Sequence, residues 1–325
     1  MRNTAETRRR LLALFSALPV SFCGGSVKAQ PKQLKLASYF HGETSSVQGA
    51  QLFADKVTGN SAETIGISLQ AVPPWVPFHM LSKVSAFAHY CAPEFANVEP
   101  IFGLSALPVL ATTFDEAETL LRIARPYYSA TLARYGQVLI ATQPWRPAAL
   151  WSTFRIRSVA DLQGSPFPIS SQVGEQAGWG RIFLRLGARR GALSEAEFIL
   201  ADGYTTNIDL TRDFAFFTDI FLAAQLNFLT VSREVFDSLT ETQRCGLVAA
   251  GRLTELAQWT LQRELVHHDH QEITTRGVPV AVRPPSDVAA VLRTAAEPEI
   301  QRWAKSVGEA GTSILTDYRR AVGRA

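Results

Sequence analysis

The chain has 325 residues, of which 46% are hydrophobic and 19% charged, enough apolar mass for a sizeable core and too much for a disordered polymer. Its formal charge of +3 sits at the beginning: in residues 1–29, Arg2, Arg8, Arg9, Arg10 and Lys28 against Glu6 make +4, which leaves −1 for the remainder. That balance excludes a basic field able to hold nucleic acid or an anionic membrane surface, and the length suggests about two domains.

Residues 1–29 read as an export signal. Arg8-Arg9-Arg10 precede an apolar run from Leu11 to Phe22, and Val27-Lys28-Ala29 has the small-x-small pattern of a processing site. The run is short of the roughly 20 residues a membrane-spanning helix needs. Thr7-Arg8-Arg9-Arg10-Leu11-Leu12 resembles a twin-arginine signal, which would place the mature chain, beginning near Gln30, in the periplasm. A lipoprotein site at Cys23 is disfavoured by bulky Phe22.

The next segments alternate in type. Gln33–Ser38 has the period-two pattern of a strand. Over Ser45–Val57, Val47, Ala50, Phe53, Ala54 and Val57 recur at helical spacing, with Gly59 in place to end the helix. Ala62–Ala71 is a second strand with Ile65, Ile67 and Leu69 on one face, so a β-α-β unit opens an α/β sheet. A loop carrying Trp75 and Phe78 follows, then a helix from Thr113 to about Tyr135 with Pro126 inside it. Strands are expected at Gln137–Thr142 and Leu150–Ile156, separated by Gln143-Pro144-Trp145-Arg146-Pro147. Beyond them come a capped turn from Ser158 to Gly164, a strand at Phe167–Ser170 and a helix over Glu175–Leu186. Phe198–Ala201, Phe214–Phe217 and Ile220–Val231 are further apolar pieces.

From Leu239 to about Ile273 there is no proline, and a helix of some 30 residues would reach roughly 45 Å. That exceeds one small domain, so such a helix would link two. Val278–Val282 is a short strand, and helices from Asp287 to Tyr318 close the chain.

Catalytic motifs are missing from the sequence: it holds no G-x-S-x-G, H-E-x-x-H or Walker A pattern. Gly178-Trp179-Gly180 lacks the third glycine of a dinucleotide fingerprint and reads as close helix packing. His267-His268-Asp269-His270 puts two imidazoles at i, i+3, without an evident third metal ligand. Asp209, Arg212 and Asp213 read as a surface charge network. Cys91 and Cys245 are expected to be buried, inert thiols, their pairing left open. An α/β chain of this kind, with no cofactor motif, points to binding at strand ends rather than catalysis.

Several stretches resemble the solute-binding proteins of TRAP transporters, the DctP-like family. They are Gln51-Leu52-Phe53-Ala54-Asp55-Lys56-Val57, Leu107-Pro108-Val109-Leu110 with Thr113-Phe114-Asp115-Glu116-Ala117, and above all Ile156-Arg157-Ser158-Val159-Ala160-Asp161-Leu162-Gln163-Gly164. The resemblance implies a two-lobed periplasmic binding protein fold, α/β, with a long helix spanning both lobes. Lobe I would comprise residues 30–148 with 229–265, and lobe II 149–228 with 266–325. It further implies capture of a small organic acid and its delivery to the membrane permease subunits of a TRAP transporter. In the family an arginine on the strand after D-L-x-G pairs with the ligand carboxylate; here that position falls on Pro168, which has neither charge nor backbone donor. Arg146 is the expected replacement, with stacking on Trp145 its other reading. The ligand-binding set expected around one opening is Tyr39, His41, Trp75, Trp145, Arg146, Ser170, Ser171, Gln172, Tyr204 and Asn207. Two alternatives stand beside it: an enzyme on the same scaffold using His41 and Glu43, and a relative without a ligand that serves as a sensor or partner subunit.

Overall fold

The computed structural model describes residues 32–42, 44–61, 64–73, 76–168, 172–202 and 210–324. Residues 1–29, read as an export signal, lie outside the described residues. Strand β1 (Lys32–Ser38), helix α1 (Ser45–Asn60) and strand β2 (Ile65–Ala71) form the expected unit, with β1 and β2 parallel and Leu36 opposite Leu69. Thr44 caps α1 by accepting from the Val47 amide. The helix does not stop at Gly59, as expected; it runs on to Asn60 and is closed by Ser61, whose amide reaches the Val57 carbonyl. Helix α2 (Phe78–Val84) and β3 (Phe87–Cys91) follow, then α3 (Phe114–Arg134), unbroken although Pro126 lies within it. Strand β4 (Gln137–Pro144) completes this part.

The chain then builds a second sheet. Its elements are β5 (Ala148–Ser152), β6 (Pro166–Phe167), α4 (Gln172–Ala177), α5 (Trp179–Arg185), β7 (Arg189–Arg190), β8 (Phe198–Asp202), α6 (Leu210–Asp213) and β9 (Phe216–Thr218). Residues 219–225 lead back to β10 (Leu226–Ser232), followed by α7 (Arg233–Ser238), α8 (Glu241–Thr275), β11 (Val280–Ala281), α9 (Ser286–Val307) and α10 (Glu309–Ala321). The first sheet has the order β2-β1-β3-β10-β4, the second β11-β9-β5-β8, and β6 pairs with β7 alone. In the first sheet only β10 runs against its neighbours β3 and β4, so the carboxyl ends of β1, β3 and β4 share one edge.

The expected helix over Glu175–Leu186 is two helices. Gly178 separates them at φ +83°, a left-handed turn that glycine alone enters without cost. A Cβ there would also run into the Glu299 carboxylate. Glu299, on α9, accepts from Arg181 and Arg185 of α5 and from its own neighbour Arg302. Burial opposes ionisation of this carboxyl, but the arginines prevail and hold it below the usual carboxylate range. The break was invisible locally because its cause lies more than a hundred residues away.

Helix α8 fulfils the expectation of a linking element. Thr240 and Gln243 form a reciprocal cap at its start. Its 35 residues span about 52 Å at 1.5 Å each. Leu247 and Ala250 pack with Phe53, Phe87 and Leu229 against the first sheet, whereas Ile273, near the other end, joins Trp151 and Phe217 of the second. Midway, Glu255 accepts from the Thr142 amide (2.7 Å) and hydroxyl (2.8 Å) and pairs with Arg125, tying α8 to β4 and α3. Helices α9 and α10 lie against the first half of the chain, through Trp303 donating to Pro100 O (2.8 Å) and Tyr318 to Leu110 O (3.0 Å). Cys91 is buried and Cys245 exposed, and both are free thiols, so the expectation of two buried cysteines fails at Cys245. Among the described residues no helix is long and apolar enough to cross a membrane.

Candidate functional site

Side chains on a strand alternate between faces, and on the first sheet that alternation carries an abrupt change of chemistry. The face toward α1 and α8 is apolar over most of its length: Leu34 and Leu36 on β1, Phe87 on β3, Leu229 and Val231 on β10, Ala141 on β4. One step further along the same rows, at the carboxyl edge, stand Ser38, His89, Asn227 and Gln143, all buried. They form a connected network. The Ser38 hydroxyl lies 3.1 Å from His89 Nδ1, and His89 Nε2 lies 3.1 Å from Gln143 Oε1. With an amide oxygen as partner, Nε2 carries the proton and Nδ1 accepts from Ser38. Ser38 Oγ in turn accepts from the Phe40 amide (3.1 Å). Burial pulls the His89 pKa down to about 4, against the opposing bond to Gln143, so the imidazole is neutral near pH 7.

The expected aromatic passage after β4 meets this network. Trp145 Nε1 donates to Asn227 Oδ1 (2.6 Å), and Asn227 Nδ2 donates to Ser46 Oγ (3.0 Å) in the first turn of α1. The ring of Phe40 stands edge-on to Trp145 at 5.7 Å and leans on His89 at 4.9 Å. Helix α8 adds Thr254, Gln258 and Gln262, spaced by four and therefore on one stripe, all buried. Gly49 of α1 lets these parts meet, since a Cβ there would come within 2.9 Å of the side-chain amides of both Gln143 and Gln258. Gln143 Nε2, Thr254 Oγ1, Gln258 Oε1 and Gln262 Oε1 are buried and make no hydrogen bond among the described residues. Leaving such groups unsatisfied is costly, and the cluster as a whole holds both donors and acceptors.

Arg146 lies at the crossing between the sheets. Its guanidinium is 3.5 Å from Asp269 of α8, and the two side chains are 7% and 3% exposed. Beside them His270 Nε2 is 3.2 Å from Asp219 Oδ2, while Asp219 Oδ1 accepts from the Phe221 amide (2.9 Å). Two members of the histidine-rich run thus serve the crossing: Asp269 through Arg146, His270 through Asp219. No group of three or more metal-binding side chains occurs among the described residues.

The expected site residues divide as follows. Trp145 joins the polar edge and Arg146 the adjoining crossing. Tyr39 turns to the opposite face of the sheet, buried beside Tyr90 and Phe95, with its hydroxyl donating to Val76 O and its pKa raised by burial. His41 is exposed. Gln172 opens α4. Trp75, Ser170, Ser171, Tyr204 and Asn207 lie outside the described residues, as does Glu43. Ser38, His89, Gln143, Asn227 and Gln258 were missed as site residues. For Gln258 a signal was available, the polar stripe Thr254, Gln258 and Gln262 at a spacing of four on α8; the four strand residues carried none.

No protein-family model matches the chain, and no curated protein matches it by sequence. Solved structures do match its fold. An extracytoplasmic solute receptor of Bordetella pertussis, DctP6, which binds pyroglutamic acid, superposes with a TM-score of 0.76 at 20% identity, over 89% of this chain and 100% of that one. A TRAP periplasmic solute-binding protein from Ochrobactrum anthropi, with a C-terminus bound in its ligand-binding pocket, gives 0.78 at 16% identity, over 91% and 97%. One from Desulfovibrio desulfuricans with bound sn-glycerol-3-phosphate gives 0.74 at 11% identity, over 89% and 97%. The fold is the two-lobed α/β fold of the TRAP periplasmic solute-binding proteins.

Proposed function

We propose that the protein is an extracytoplasmic solute-binding protein that captures a small organic acid and delivers it to the permease of a TRAP-type transporter. The observation that carries this reading is the polar edge of the first sheet, built at strand carboxyl ends beside the crossing between two sheets. Ligands of open α/β sheets bind at that place. Receptors of the same fold that hold pyroglutamate or sn-glycerol-3-phosphate support a small polar acid as the guest, and support a binder rather than a catalyst. The export signal at residues 1–29, read as twin-arginine, supports a periplasmic site of action. We take lobe I as 30–148 with 229–265 and lobe II as 149–228 with 266–325, with the chain crossing between them near Pro144–Arg155 and near Ala224–Ser232.

In this reading Arg146 is the counter-ion of the ligand, because Pro168 cannot be. Its buried pairing with Asp269 is compatible with that role: a guanidinium has five N–H donors in a fixed fork, and Asp269 would hold the fork in place for a second carboxylate. Trp145 and the Ser38–His89–Gln143 network would flank the polar body of the ligand, with Trp75, Ser170, Ser171, Gln172, Tyr204 and Asn207 closing the opening. The test is a thermal-shift screen of the chain from Gln30 onward against organic, sugar and aromatic acids and neutral polar compounds. A binder is stabilised in proportion to RT ln(1 + [L]/Kd) and leaves the ligand chemically unchanged. Consumption of any stabilising compound, or stabilisation by neutral compounds alone, would overturn the proposal.

A further inference from the structure

The largest cavity among those described, about 460 Å³, is not at the polar edge. It opens between residues 109–113, the start of the returning segment at 219–221, and the first turns of α9. Its volume falls in the range of small-molecule sites, about 300–1,000 Å³. Asp219 borders both this cavity and the small recess lined by Arg146, Asp269 and His270, so the two spaces are neighbours.

The lining has two parts. Ile220, Phe221 and Leu292 supply an apolar wall. Arg283 and Arg293 supply positive charge, and neither has a side-chain partner among the described residues. The one lining acid, Asp219, is already engaged by His270 and by the Phe221 amide. Two guanidiniums on the lining of a cavity with an apolar wall suit an anion with a hydrophobic body, because each fork can grip a planar or tetrahedral oxyanion in bidentate fashion. Phe221 and Val109, both lining residues, hold positive φ (+43° and +45°), and their segments are joined by the Val109 amide donating to Leu222 O at 2.6 Å. The wall is therefore fixed in shape by the fold rather than by packing of mobile side chains.

We propose that this cavity is a second ligand site, specific for an amphiphilic organic anion, with Arg283 and Arg293 on the acidic group and Phe221, Ile220 and Leu292 against the apolar body. The assignment stands independently of which solute the polar edge takes.

The probe is 8-anilinonaphthalene-1-sulfonate, an aromatic sulfonate that brightens on leaving water, titrated into the purified protein. The expected result is one saturable site, whose Kd rises tenfold or more in Arg283→Gln/Arg293→Gln. It should stay within twofold in the control Arg189→Gln/Arg190→Gln, which removes the same charge from the exposed pair on β7. Ala289→Trp, which places an indole in the cavity without changing charge, should abolish the site. If that variant does not fold, the exposed double arginine variant decides alone. Octanoate should displace the probe, and inorganic phosphate at equal concentration should not. Absence of saturation, an equal loss in the control, full binding to folded Ala289→Trp, or displacement by phosphate and not octanoate would each overturn the proposal.

Discussion

The layer between the first sheet and helices α1 and α8 has two ends that differ in chemistry although the same strands build both. At one end Leu36, Phe53, Phe87 and Leu229 make a dry core. At the other, two residues along the same strands, stand Ser38, His89, Gln143 and Asn227, with Gln258 of α8 beside Gln143 across Gly49. The first end can be judged by area removed from water. The second buries amides and an imidazole, a cost repaid only by hydrogen bonds. Apolar packing is concentrated at one end and buried polar groups at the other, where the proposed function puts recognition, and neither α1 nor α8 is interrupted between them.

The comparison can be broken most forcefully at the dry end. Phe53→Ala empties a fully buried ring and is expected to cost about 3–5 kcal/mol in denaturant unfolding. Ligand affinity should be unchanged wherever the variant remains folded. An affinity loss larger than twofold would show that the two ends are not separate.

At the polar end the sharpest probe is pH. His89 is neutral in the folded protein, its pKa lowered from 6.5 to about 4. Between those values the unfolded chain binds the extra proton, so stability rises with pH across that window. The His89 contribution is fully present above about pH 6.5, declines as pH falls, and is flat below about 4. The span amounts to about 3 kcal/mol. His89→Gln should remove that part of the slope, read as the difference in unfolding free energy between pH 7 and pH 4.5. An unchanged slope would mean that His89 is not held neutral.

Arg146→Ala tests the crossing. Removing one partner of a desolvated charge pair costs about 2–5 kcal/mol, so affinity for an acidic ligand should fall roughly 30-fold or more. Arg155→Ala, nearby in sequence but exposed, is the matched control and should have no effect. The smallest expected effect is that of Trp145→Phe. It deletes the 2.6 Å bond to Asn227 and should cost about 1 kcal/mol, seen as a few-fold loss of affinity by calorimetry.

Much of the fold could be read in advance because its signals are local. The alternation of Gln33–Ser38 and the three-four spacing of Val47, Ala50, Phe53 and Val57 belong to single elements, as does the proline-free run that became α8. What escaped depends on distant partners. Gly178 breaks a helix to make room for Glu299, and Tyr39, which looked like a strand-end ligand residue, is taken up by Tyr90 and Phe95 on the other face. The site was legible in part. Trp145 and Arg146 stand out as an aromatic-basic pair between strands. His89 and Asn227, by contrast, sit in five- and seven-residue strands where nothing local distinguishes a recognition residue from a satisfied core polar group.

One mechanical consequence follows from α8. Its hydrogen-bond ladder is unbroken over about 52 Å, which makes it a stiff spar with its two ends set in different sheets. A spar pivoted at its middle has arms of about 26 Å, so a turn of one degree carries each tip roughly 0.45 Å, and ten degrees about 4.5 Å. Shifts too small to matter at Gln258, near the middle, would thus be magnified at the Glu241 and Thr275 ends. A lever of this ratio converts a change of fractions of an ångström beside the pivot into a displacement that a docked partner could sense.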